Sequence, residues 1–126
     1  MILVTTDMTD SERLVAGIIE RHRGKETPVA REQLALLVGV TTREVERIVK
    51  HLVERHGCPI GSVCGSRVHG YYVITDAEDL ARTAENLRAR AMSLLKRLAR
   101  LRQTTELDVL GQLRLDLETE LMGVPR

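Results

Sequence analysis

Phenylalanine and tryptophan are absent from the chain, and Tyr71 and Tyr72 are its only tyrosines. A core without large aromatic rings has to be built from Leu, Val, Ile and Ala, which favours helix packed on helix. Cysteine is scarce as well. Cys58 and Cys64 match neither the paired spacing of a zinc knuckle nor that of a redox motif or a secreted disulfide framework, which points to a reduced compartment. No apolar run approaches the roughly 18 residues of a membrane span, and "MILVTTD" lacks the basic start and long apolar core of a signal peptide. The expectation is a cytoplasmic protein with no membrane partner.

Signatures of catalysis are missing too. No glycine-rich phosphate loop follows a strand, no Gly-x-Ser-x-Gly elbow occurs, and no carboxylate pair falls in an expected cleft. His51 and His56 stand five apart, which sets them on different faces of a helix, whereas joint metal ligands on a helix sit three or four apart. The reading is of a non-enzyme with no cofactor, no metal and no small-molecule ligand. The formal charge of +1 is too small to draw nucleic acid through a global field, so any such role has to rest on local placement. Lys and Arg against Asp and Glu give +2 over 41–75 (5 minus 3), +3 over 76–105 (7 minus 4) and −3 over 106–126 (2 minus 5). The middle is basic and the tail acidic.

What is present is helical punctuation. The 126 residues suit one small domain with an appendage, able to fold without covalent staples. In "TDSERLVAGIIERHRG", Thr9 and Glu12 stand at capping-box spacing and Leu14, Val15, Ile18 and Ile19 form a stripe that stops at Gly24, predicting a first helix over about 10–23. "KETPV" breaks the pattern and reads as a turn, because Pro28 disfavours helix at Thr27. "AREQLALLVG" resumes it. Thr41 and Glu44 form a second capping pair, opening a helix that runs to Gly57 with Val45, Ile48, Val49, Leu52 and Val53 as its apolar stripe. Its polar face carries Thr42, Arg43, Glu46, Arg47 and Lys50, either as a solvated surface or as side chains suited to base edges and phosphates. Beyond Gly57, "CPIGSVCGSRVHGYYVI" predicts two short strands, Ile60–Cys64 and Tyr71–Ile74, joined by a loop with Arg67 and His69.

The spacing of Leu34, Ala35, Val38, Gly39, Val40, Val45 and Ile48 resembles a helix-turn-helix, in which the alanine is small because the second helix crosses near it and the glycine supplies a positive φ. With a helix before it and a hairpin after it, residues 10–75 resemble the winged helix-turn-helix of the biotin repressor and of small phage and bacterial regulators. Nothing of that repressor's ligase portion is present. The resemblance implies sequence-specific binding of double-stranded DNA, as a transcriptional regulator or DNA-transaction factor. It implies a recognition helix in the major groove, here Thr41, Thr42, Arg43, Glu46, Arg47 and Lys50. It implies a wing on phosphates or the minor groove, here Ser66, Arg67 and His69. Winged helices also serve as docking modules for proteins, and the alternative reading is a protein-protein interaction module in which the winged fold is scaffold and the leucine-rich helices are the working surface.

After the wing, Thr75 and Glu78 form a third capping pair ahead of about 25 residues with neither Gly nor Pro. Leu80, Ala84, Leu87, Ala91, Leu94, Leu98 and Leu101 recur at heptad spacing, ringed by arginines. Such a seam requires a partner helix: the first domain, the C-terminal helix, or a second copy in a homodimer with these seven residues at its interface. "TTELDVLGQLRLDLETELMG" reads as an acidic C-terminal helix bearing Leu107, Leu110, Leu113, Leu117 and Leu121. "MILVTT" is apolar enough to add an edge strand or pack on the helices. The expected architecture is mainly α with a small β-hairpin: a winged domain over 1–75, then a helical dimerisation region over 76–126.

Overall fold

A computed structural model describes residues 3–123 and separates the chain into two units, residues 1–82 and 83–126. The described part of the first unit contains α1 (Asp10–Ile19), α2 (Arg31–Val38), α3 (Thr42–Glu54), β1 (Ile60–Val63), β2 (Gly70–Val73) and the opening of α4 (Ala77–Leu101). The second unit holds the rest of α4 and α5 (Glu106–Met122). The chain is mainly helical with a small antiparallel hairpin.

In the first unit the three short helices enclose an aliphatic core. Val15, Ala16 and Ile19 of α1 meet Leu34 and Ala35 of α2 and Val45, Ile48, Val49 and Leu52 of α3, all buried. Each fully buried Leu, Ile or Val contributes about 1.5–3 kcal/mol relative to exposure. Leu3 and Met8 join this core, so the N-terminal segment packs on the helices; Met1 and Ile2 of "MILVTT" lie outside the described residues. Helix α1 opens with the full capping box: Thr9 Oγ1 accepts from the Glu12 amide at 3.2 Å, and the Thr9 amide donates to Glu12 Oε1 at 2.9 Å.

Helix α1 ends at Ile19, not near residue 23. The backbone of residues 22–24 leaves the helix to serve β2: the Val73 amide donates to the His22 carbonyl and the Gly24 amide to the Val73 carbonyl. The "KETPV" segment is more than a turn for the same reason. Val29 is buried and exchanges two backbone hydrogen bonds with Tyr71, at 2.8 and 2.9 Å. Strand β2 is thus flanked by β1 on one edge and by the α1–α2 connection on the other. Gly70 makes this approach possible: its φ is +134°, and a Cβ there would stand 2.1 Å from the Val29 carbonyl oxygen.

Strand β1 ends one residue earlier than the alternation predicts and β2 is shifted one residue earlier at both ends, with Cys64 and Ile74 outside and Gly70 inside. Leu14 and Val53, placed on apolar stripes by spacing, are exposed. Only half of the second capping box forms: Thr41 Oγ1 accepts from the Glu44 amide, but the Glu44 carboxylate turns to Arg47. At the head of α4, Asp76 rather than Thr75 accepts from the Glu78 amide, at 2.9 Å.

In the second unit α4 ends in a tight corner, where Gln103 takes a positive φ of 53° and the Thr104 amide returns to the Ala99 carbonyl. Thr105 then caps α5, its Oγ1 accepting from the Asp108 amide at 3.2 Å. Ala99 and Val109 are the buried residues among those described in this unit. Of the seven seam residues, Leu98 is half-buried and Leu80, Ala84, Leu87, Ala91, Leu94 and Leu101 are exposed; Leu107, Leu110, Leu113, Leu117 and Leu121 of α5 are exposed as well. No helix among the described residues is long and apolar enough to cross a membrane.

Candidate nucleic-acid interface

Helices α2 and α3 are joined by a turn of three residues that begins at Gly39, whose φ of +80° lies in the left-handed region. The amides of Gly39 and Val40 both donate to the Ala35 carbonyl, at 2.9 and 3.0 Å, and satisfy the end of α2. Thr41 then caps α3. Helix α3 thus starts directly after the turn, with Arg43, Glu46 and Arg47 open to solvent and its stripe of Val45, Ile48, Val49 and Leu52 held in the core.

On the outer side of α3, Arg43, Arg47 and Lys50 follow each other at spacings of four and three, so they share one face, and all three are exposed. Thr41 and Glu46 are exposed too, and Thr42 is half-buried at the helix start. Among the described residues Arg43 and Lys50 have no hydrogen-bonding or ionic partner. Arg47 has one: its guanidinium takes both carboxylate oxygens of Glu44, a turn earlier. That contact holds the Glu44 carboxyl below its ordinary range and raises Arg47, so both are charged at neutral pH.

The hairpin loop places Ser66, Arg67 and His69 in solvent, as its polar composition predicts. It is linked to α3 through a run of polar side chains. Glu46 pairs with Arg31, Arg31 with Glu32 at 3.3 Å, and Glu32 Oε2 lies 3.8 Å from His69 Nε2. Arg31 is raised chiefly by Glu46, while Glu32 is lowered first by a backbone hydrogen bond and then by Arg31. Arg31, Glu32 and His69 line an open cleft of about 540 Å³ between the start of α2 and the hairpin, together with Ser62, Cys64, Ser66 and Tyr71. The sequence alone does not single out Arg31. Its one signal is its place at the first position of α2, which the fold sets beside the hairpin.

Cys58 is buried, and burial pushes its thiol above the ordinary range, which leaves it protonated and inert. Cys64 is exposed on the cleft. Among the described residues no group of three or more His, Cys, Asp or Glu side chains is arranged to hold a metal ion. The arrangement offers unpaired cations on a short exposed helix and a polar loop, chemistry suited to polyanions. Comparison with known proteins gives no match to any described family, to any curated protein or to any solved structure.

Proposed function

We propose that the protein binds double-stranded DNA in a sequence-specific manner, with a winged helix-turn-helix that lays α3 in the major groove and the β1–β2 loop on the adjoining backbone. The single observation that carries the reading is the row of Arg43, Arg47 and Lys50 on the open face of a helix that begins directly after the left-handed turn at Gly39. A helix of this diameter fits the major groove, and arginine can read guanine there through two parallel hydrogen bonds. Glu46 on the same face is suited to the amino group of cytosine. Arg67, on the loop, supplies a phosphate contact that carries no sequence information of its own. Such a protein serves as a transcriptional regulator or a DNA-transaction factor.

A second reading has its own observation. Leu36 and Leu37 of α2 are exposed, Leu36 to 85%. Two adjacent open leucines beside the turn suit a protein-docking surface, for which the same fold would be scaffold. Selection from a random pool of duplexes tests the choice. Enrichment of a common motif supports the DNA reading, and recovery of an unenriched pool transfers the function to protein docking.

A further inference from the structure

We propose that the protein forms a two-fold homodimer in which α5 of each copy lies along the apolar row of the other copy's α4. The proposal is independent of the DNA reading, since it rests only on the second unit and the helix that enters it. Leu87, Leu94 and Leu101 form an open row on α4, with Leu94 exposed to 58%. Within one chain the row stays open at these three residues, and Leu98 beside them is half-buried. At the Gln103 corner the two helices bury Ala99 and Val109, and Ala99 is five residues beyond Leu94, well round the helix from that row. Helix α5 is more demanding still. It carries one apolar arc through Leu110, Leu113, Leu117 and Leu121 and a further exposed leucine, Leu115, on the opposite side. A helix apolar on most sides belongs in contact with more than one neighbour.

Charge identifies the occupant as a second copy. Residues 86–101 hold five basic side chains and no acidic one, whereas α5 holds five acidic side chains and one arginine. Packing α4 on α4 would set like charges side by side, which is unfavourable in a close interface. Packing α4 on α5 sets opposite charges around an apolar strip, and a two-fold axis makes the contact twice. The chain therefore carries both halves of one complementary surface and, because of its corner, brings them together only between molecules.

The test uses the full chain and two charge-reversed forms. One carries Arg90→Glu and Arg97→Glu on α4, and the other Asp116→Lys and Glu120→Lys on α5. Sedimentation equilibrium should show the wild type at twice its 14.2 kDa, and each reversed form should dissociate at least about tenfold more readily. Mixing the two forms should restore a heterodimer, and combining all four changes in one chain should restore a homodimer. A wild type that stays monomeric at about 100 µM, a concentration that populates even weak dimers, overturns the proposal. Reversed forms as dimeric as the wild type overturn it as well. Restoration only within the four-change chain would mean pairing inside one molecule, and restoration only on mixing would mean like helices paired; either outcome overturns it. Circular dichroism follows the helices throughout. Helix lost in a reversed form and regained on mixing supports the proposal, and helix lost for good on mixing contradicts it.

Discussion

Tyr72 donates its hydroxyl hydrogen to Asp79 Oδ2 at 2.7 Å, and both side chains are buried. The bond joins β2 to the first turn of α4 across seven residues of sequence. The ring sits over Gly61, its cross-strand partner, where an added Cβ would approach the ring to 2.6 Å. Burial, reinforced by the hydrogen bond to Asp79, pushes the Tyr72 hydroxyl up to about 12.

Replacing Tyr72 by Phe keeps the ring but strips the Asp79 carboxylate of its donor, and should lower stability by about 1–3 kcal/mol in denaturant unfolding at neutral pH. The pH dependence has a definite sign. The folded state holds the Tyr72 proton more tightly than the unfolded state, so the contribution is complete below pH 10 and is lost as pH rises toward about 12. The Phe variant should therefore lose less stability than the wild type over that window. Equal alkaline slopes would contradict the assignment.

Two glycines separate a turn requirement from a packing requirement. Gly39→Ala places a side chain in the left-handed region with open space around it, and should cost about 1–2 kcal/mol. Gly70→Ala drives a methyl group into the Val29 carbonyl and should cost more, with loss of the bonds that hold the α1–α2 connection on β2. Thermal unfolding ranks the two, and a milder Gly70 variant would show that β2 and Val29 are not tightly joined.

The Glu12 carboxylate caps α1 through the Thr9 amide and lies 3.3 Å from His56 Nε2. Its proton affinity is lowered first by that backbone hydrogen bond, with His56 adding to it. A carboxyl lowered in the folded state contributes stability above its unfolded range, and that stability is lost as pH falls through its folded value. Glu12→Gln should cost about 0.5–2 kcal/mol at neutral pH and flatten the acid limb of the stability curve, as measured by urea unfolding at several pH values.

The core was largely legible in the sequence because it depends on local periodicity. Val45, Ile48, Val49 and Leu52 recur at helical spacing and are buried together, and the left-handed φ of Gly39 follows from glycine placed just after an apolar run. What spacing could not give depends on contacts between distant segments. Residues 20–23 carry good helix formers, yet His22 and Arg23 are taken up at the edge of β2, fifty residues on. Glu44 was readable as a cap, but its carboxylate closes on Arg47, since an exposed guanidinium three residues on competes for it. Arg31 joined the candidate interface only when the fold brought the start of α2 beside the hairpin loop.

The acidic residues within the basic face make a prediction of their own. Glu44 occupies Arg47, and Glu46 occupies Arg31, so on the proposed reading Arg47 exchanges partners when the duplex binds. Glu44→Gln should release Arg47 and strengthen binding to non-specific duplex by a few-fold, because it removes a competing charge from a surface that approaches phosphates. Fluorescence anisotropy with a labelled duplex measures this, and weaker binding would place Glu44 on the reading side of the helix.

The central claim is tested most directly by titrating an enriched duplex at several salt concentrations with the wild type, Arg47→Ala and Arg67→Ala. The account predicts that log K falls linearly with log salt concentration, that Arg47→Ala costs about 1–3 kcal/mol on the preferred site and relaxes base preference, and that Arg67→Ala weakens all sequences alike and lowers the slope by about one. Affinity that stays unchanged after Arg43, Arg47, Lys50 and Arg67 are all replaced by Ala would contradict it.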